Sequence, residues 1–340
     1  MINRLLLALS LVLIAAAAVI FALTGPAPYT VTTFAMGSYV HQTVYGAHSE
    51  EAAAAGASAV QETENLLSWR VEGSDIFRLN DHAGEDFIAL SPFTAQVLRT
   101  SLSVCAESAG AFDITIGPVS RLWDFDSNPH VPSETQITQF LPMVDYTALS
   151  VLDDDTAALR QHNTALDLGA VGKGAACDAA VAAYKEAGLT RGIIAVGGSV
   201  GIYGTKPWGK PWVIAVRDPL DEGTLGELRL REGFVSTSGS YEKTFEESGQ
   251  TYHHLLDPAT GYPARRDNLV SVTVVSGSGA LSDALSTACF VLGAEASLPV
   301  LQQFDAQAVF VTEDERVLVT AGLVESFKLT KQGYTLEVLP

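Results

Sequence analysis

An α+β fold of mixed, mainly antiparallel sheets packed with helices is what this sequence predicts. Runs of alternating branched and polar residues bounded by Gly, Pro and Ser read as strands, and small-residue stretches with cap and stop residues read as helices. The two kinds follow one another without a regular strand–helix–strand alternation. The chain has 340 residues and no fixed-period repeat, low-complexity tract or linker. One domain is therefore expected over 27–340, behind an N-terminal apolar segment over 1–26.

That segment, LLLALSLVLIAAAAVIFAL from Leu5 to Leu23, has no charge and only Ser10 polar. As a helix rising about 1.5 Å per residue it spans roughly the hydrocarbon core of a bilayer. Arg4 precedes it, which favours a cytoplasmic N-terminus with the remainder exported, and Gly25-Pro26 ends it. The expectation is an inner-membrane anchor with the rest extracytoplasmic, on the periplasmic side. A cleaved signal peptide is the rival, with a poor small-x-small pattern near Ala22-Leu23-Thr24. With no cysteine near the end of the run, this reading excludes a lipid-modified N-terminus.

Next, YTVTTFAMG and SYVHQTVYG read as paired strands, and the Ala-rich stretch from Glu50 to Leu67 as a helix. LLSWRVEGSDIFRLN reads as a loop. Ser91-Pro92 is an N-cap followed by Pro at the first helical position, and Gly110 stops the helix that follows. AFDITIGPVSRLWDF reads as irregular and 124–163 as loop-rich and acidic. A small-residue helix over 170–187 ends at Gly188. RGIIAVGGSVGIYG is a strand meeting glycines, and WVIAVRDP and LVSVTVVSG are further strands. SDALSTACFVLGA is a closing helix, and AQAVFVTEDERVLVTAGL a final hairpin. Cys105, Cys177 and Cys289 have no metal-ligand spacing and are odd in number, so small buried hydrophobes are expected. A net charge of −19 would repel phosphate backbones, which excludes nucleic acid as a partner.

Five stretches could carry chemistry. LDLGAVGKGAACD, Leu166 to Asp178, resembles a phosphate loop but departs at Asp167, where Gly is needed, and at Gly174, where Ser or Thr is needed. A glycine turn opening a helix still offers N–H groups to an anion, with Lys173 adding charge. The alternative is a packed turn with a solvent-facing lysine. In SDALSTACFVLG, Asp283 and Thr287 share a helix face and offer hard oxygen donors of the kind Mg²⁺ accepts. Alternatively Ser282 or Asp283 caps the helix and Thr287 bonds back to the carbonyl four residues earlier. VSTSGSYEKTF, with His254 and Asp257, could form a Ser-His-Asp triad, although no nucleophile elbow is present. In GAFDITIGP, Asp113 could simply bond within its own loop. The block YHHLLDPATGYP, Tyr252 to Pro263, places two histidines beside a stiff Pro- and Gly-flanked turn.

In their joint order these segments resemble the FAD:protein FMN transferases, the ApbE family of flavin transferases. The resemblance runs over about residues 30–295, from FAMGSYV to SVTVVSGSGALSDALSTACFVLG. It implies FAD as substrate and Mg²⁺ on the pyrophosphate. FMN would pass to a threonine hydroxyl of an acceptor protein, a subunit of a membrane redox complex, with AMP released. It further implies flavin or adenine contacts from Met36 and Trp69, a wall of Ala111, Phe112 and Asp113, and nucleotide contacts from Asp167, Lys173, His254 and Asp257. Asp283, Thr287 and the carbonyl of Ala170 would hold the metal. His254 would remove the acceptor's proton, with His253 structural or just outside the site. Two departures are Ser38 where the family's Met-Gly-Thr has Thr, and Trp69 where Tyr is common. Alternatives with the same site are an FAD pyrophosphatase and a flavin-binding protein without catalysis.

Overall fold

The computed structural model describes residues 27–340; the apolar run and the anchor expected over 1–26 lie outside the described residues. Among the described residues, no helix is long and apolar enough to cross a membrane.

The chain opens with an antiparallel hairpin, β1 (Tyr29–Ala35) and β2 (Ser38–Val44). Helices α1 (Ser49–Leu67) and α2 (Asp75–Asp81), the short strand β3 (Ile88–Ala89) and helices α3 (Pro92–Glu107), α4 (Gly117–Trp123) and α5 (Glu134–Phe140) follow. Strands β4 (Leu149–Val151) and β5 (Thr156–Leu159) join β3 in a small antiparallel sheet. Helix α6 (Gly172–Glu186) then leads into the hairpin of β6 (Gly192–Val196) and β7 (Ser199–Tyr203). Next come β8 (Trp212–Arg217), β9 (Thr224–Leu230), β10 (Gly233–Gly239), the ribbon β11 (Thr244–Glu247) and β12 (Gln250–His253), and β13 (Leu269–Ser276). Helices α7 (Gly279–Leu292) and α8 (Ala294–Gln303), the hairpin β14 (Gln307–Thr312) and β15 (Arg316–Thr320), and strands β16 (Phe327–Leu329) and β17 (Thr335–Leu339) complete it.

A nine-stranded sheet in the order β1-β2-β6-β7-β10-β13-β14-β15-β17 is the backbone of the fold. Its ladders are antiparallel except for β15 with β17. Alternating side chains serve its two faces. Ala308 and Phe310 of β14 join the helices in one core, and Val309 and Val311 join the three-stranded sheet β16-β9-β8 in another. Strand β13 is buried at all but one residue because both faces are covered, whereas the edge strand β1 is mostly exposed. Helices α6 and α7 approach closely through Gly174 and Gly279: a Cβ on either would run into the other's carbonyl. Their small residues are therefore a packing requirement.

The α+β expectation holds, and so do most elements. Ser91 caps α3 by accepting from Thr94 N–H, Gly188 ends α6 at φ 76°, and the three cysteines are free and buried. Four readings need correction. The stretch read as a loop carries α2, because Ser74 caps it by accepting from Phe77 N–H. The stretch read as irregular carries α4, with Pro in its first turn. The acidic region carries α5, opened by a Ser133–Gln136 capping box. Finally, RGIIAVGGSVGIYG is a whole hairpin that turns at Gly197, φ 54°.

Candidate active site

Two tight turns converge on the N-terminal turn of α6. The β1–β2 hairpin turns at Met36 and Gly37, both at positive φ (53° and 67°), and rests its tip on the helix start. A Cβ on Gly172 would lie 3.1 Å from Met36 Cε; one on Gly197 would lie 3.0 Å from Ser38 Oγ and 3.3 Å from Lys173 Cδ. Gly198, the next residue of the β6–β7 turn, accepts from Thr237 N–H of β10 at 3.1 Å. Met36, Ser38, Lys173 and the Gly197-Gly198 turn thus meet at the positive end of α6, where Gly172 N–H donates to the Leu168 carbonyl at 2.8 Å.

Asp167 pins the glycine turn that leads into α6. Its Oδ1 accepts from Gly169 N–H at 2.9 Å, and its Oδ2 from the Ser120 hydroxyl at 2.8 Å. Lys173 Nζ donates to the Gly169 carbonyl at 3.3 Å, so Asp167 and Lys173 grip the same residue. On one side stands half-buried Trp69, with Arg70 and Arg121 guanidinium carbons 4.1 and 4.4 Å from its ring centroid. Burial lowers the pKa of Arg121, against the opposing charge of Asp167. The indole N–H of Trp69 is buried and has no partner among the described residues.

Ala111, Phe112 and Asp113 lie together, but Asp113 is occupied. Its Oδ1 accepts from the Thr115 amide at 2.8 Å and hydroxyl at 2.6 Å, and its Oδ2 from Tyr146 N–H at 3.0 Å. These contacts match the reading in which Asp113 bonds its own loop. Burial pushes its carboxyl pKa up, partly offset by those donors. Phe112 is buried in the helical core and Ala111 packs against that core.

The late helix departs from its capping alternative. The cap of α7 is Ser278, which accepts from Leu281 N–H, so neither Ser282 nor Asp283 caps it. Asp283 sits a turn further in, and its Oδ2 accepts from Gly174 N–H at 2.9 Å. A helix continued backwards would send that N–H to the Ala170 carbonyl, four residues earlier; Asp283 takes it and leaves the carbonyl open. Thr287 does not bond back along its helix; its Oγ1 lies 3.1 Å from Ser238 Oγ on β10. Asp283 thus stands against the first turn of α6, and Thr287 follows one turn along the same face of α7. Among the described residues, no three His, Cys, Asp or Glu side chains form a metal nest.

The histidines divide their work. His254 Nδ1 lies 3.0 Å from the Glu242 carbonyl, which can only accept, so Nδ1 carries the proton and Nε2 keeps its lone pair. Burial, with Lys173 and Lys243 adding to it, pulls the His254 pKa down to about 4. The following turn is stiff. Asp257 Oδ1 accepts from Ala259 N–H at 2.9 Å, and Trp123 Nε1 donates to the Gly261 carbonyl at 2.8 Å. Asp257 thus serves its own loop while His254 faces a backbone carbonyl, and the Ser-His-Asp reading lacks its orienting acid. Asp126 ties the neighbouring loops, accepting from Arg70 at 2.7 Å and Lys243 at 2.6 Å.

The family model for the ApbE family matches residues 36–310. A FAD:protein FMN transferase of Treponema pallidum is 32% identical over 298 residues, covering 82% of each chain. The crystal structure of the ApbE protein of Thermotoga maritima superposes with a TM-score of 0.79 at 30% identity, covering 84% of this chain and 95% of that one. The apo form of the Pseudomonas stutzeri flavinyl transferase ApbE superposes at 0.75 and 28% identity, covering 85% and 92%. The chain belongs to the ApbE family.

In this ApbE-family chain, sequence reasoning missed Arg70, Arg121 and Asp126, which frame Trp69 and the loop beside His254. Their signal was faint: SWRVEG and SRLWDF each put an arginine within two residues of a tryptophan, but only the fold brings both arginines to one ring. His253 is structural, as expected. Its Nε2 donates to the Ala264 carbonyl at 3.1 Å, its ring stands edge-on to Phe290, and burial pulls its pKa down to about 4. An unfolded histidine titrates near 6.5, so between about pH 6.5 and 4 the unfolded chain binds a proton that the folded chain refuses. Stability is lost as pH falls through that window, by up to about 3 kcal/mol from this residue. On going from pH 7 to 4.5, denaturant unfolding should show a larger loss in the wild type than in His253→Gln. Equal losses would contradict this.

Proposed function

We propose that this chain moves the FMN half of FAD onto a threonine hydroxyl of an acceptor protein and releases AMP. The observation that supports the reading is Asp283 held against the first turn of α6 through Gly174 N–H by Oδ2 alone, with Thr287 one turn along the same face of α7; the Ala170 carbonyl, four residues before Gly174, would complete the set. Three hard oxygen donors without a histidine or thiolate suit Mg²⁺, with phosphate oxygens and water completing its octahedron. Bound there, the ion would neutralise the pyrophosphate and orient the leaving phosphate. Lys173 and the positive end of the α6 dipole add favourable charge near the same diphosphate. Trp69 and Met36 offer an aromatic face and a polarisable thioether to flavin or adenine. In the transfer itself, the threonine oxygen attacks the FMN phosphorus, the bond to the AMP oxygen breaks, and the hydroxyl proton passes to His254 Nε2. Neutral near pH 7, His254 is in the form that can accept it.

The transfer is tested by incubating the protein with FAD, Mg²⁺ and a fragment carrying an acceptor threonine, then running a denaturing gel under ultraviolet light. A fluorescent acceptor band supports transfer. Free FMN and AMP without a band would mean hydrolysis, and neither product would mean binding alone. The apolar run at 5–23 supports anchoring of this domain to the inner membrane on its periplasmic side, facing a membrane redox complex that supplies the threonine. Recovery of the full chain in a salt-washed soluble extract would contradict the anchor.

A further inference from the structure

Helices α6 and α7 carry the same short pattern, Gly174-Ala-Ala-Cys-Asp178 and Gly279-Ala-Leu-Ser-Asp283. In each the carboxylate lies four residues after the glycine, one turn along the helix. The structure exchanges them. Asp178 of α6 accepts from Gly279 N–H and Ala280 N–H of α7, both at 2.8 Å, and from the Ser278 hydroxyl at 3.0 Å. Asp283 of α7 accepts from Gly174 N–H of α6 at 2.9 Å. The glycines lie between, each blocking any Cβ on the other. Each helix therefore has N-terminal donors held by its neighbour's carboxylate: Gly279 and Ala280 of α7 by Asp178, and Gly174 of α6 by Asp283.

The two carboxylates differ in what remains to them. Asp178 has both oxygens engaged by α7. Asp283 spends only Oδ2 on α6, and Oδ1 meets no donor among the described residues. One half of the exchange is complete and the other keeps an open oxygen on the site.

We propose that Asp178 is a positioning residue for the divalent cation: by clamping the first N–H groups of α7 it fixes that helix against α6 and aims Asp283 Oδ1 and Thr287 Oγ1 at the ion. The inference rests on the metal reading given under the proposed function. Loss of an orienting partner behind a metal ligand typically weakens the metal 10–100-fold. A purely structural cap would instead lower thermal stability and leave metal affinity intact.

Mn²⁺ binding, followed by the electron paramagnetic resonance of the free ion in the presence of FAD, separates the two. The wild type should bind one Mn²⁺, and Asp283→Asn should lose it. Asp178→Asn should bind it about 10–100-fold more weakly while its metal-free affinity for FAD is unchanged. If Asp178→Asn does not fold, Ser278→Ala removes one donor from the clamp and should weaken Mn²⁺ severalfold at unchanged FAD affinity. Wild-type Mn²⁺ affinity in Asp178→Asn, or in Ser278→Ala where that is the variant measured, would overturn the positioning role and leave the metal reading standing. A wild type that binds no Mn²⁺, or an Asp283→Asn variant that binds it normally, would overturn the metal reading and this inference with it.

Discussion

Asp283→Ala should abolish metal-dependent turnover. The carboxylate is the one charged donor of the three oxygens, and several kcal/mol of charge stabilisation on a pyrophosphate corresponds to a loss of about 10³-fold or more. The variant has a second effect: it strips Gly174 N–H of its acceptor, and an unsatisfied buried donor costs about 1–3 kcal/mol of stability. Asp283→Asn separates these effects. The amide oxygen can still accept from Gly174, but the charge is gone, so folding should survive and turnover should not. Initial rates across a Mg²⁺ titration, with thermal melts alongside, check both. Full activity of either variant at limiting Mg²⁺ would remove Asp283 from the metal site.

His254→Ala should leave FAD binding intact and slow transfer by about 10²–10⁴-fold, the usual contribution of a positioned general base. Its side chain makes one hydrogen bond, to the Glu242 carbonyl, and none to the glycine turn that leads into α6, so its removal takes no hydrogen bond from that turn. Its pH behaviour is diagnostic. With a pKa held near 4 by burial and by Lys173 and Lys243, the base loses its lone pair only in acid. The kcat/KM profile, which reports the free enzyme, should stay flat from neutral pH to about 5 and fall below that. A fall centred near 6.5 would mean an ordinary solvated histidine. Transfer at the wild-type rate in the alanine variant would exclude His254 from the chemistry.

How much of this was legible beforehand depended on the distance over which each signal acts. The hairpin turn at Met36-Gly37-Ser38, the cap at Ser91 and the stop at Gly188 follow from local backbone chemistry and were read directly. Short helices such as Asp75–Asp81 were missed because one cap at Ser74 outweighs a turn-like composition. The glycines of LDLGAVGKGAACD left two readings open, an anion-binding turn and a packed turn. Gly172 does lie at that turn, beneath Met36, but Gly174 is glycine because another helix's backbone lies against it. No window within one segment contains that fact. The same holds for Arg121, whose partner Trp69 is distant in sequence, and for Asp178, whose three donors lie on the next helix of the pair. Composition could show that Asp283 and Thr287 share a helix face. Only the fold could show that Asp283 is no cap and that Ser238, on a strand, meets Thr287.

The most direct measurement is an anomalous difference map, collected at the manganese edge, from a crystal soaked with FAD and Mn²⁺. The account expects one peak on the diphosphate, at metal-bond distance from Asp283 Oδ1, Thr287 Oγ1 and the Ala170 carbonyl. A peak held by other residues, or a diphosphate bound away from these three oxygens, would contradict it.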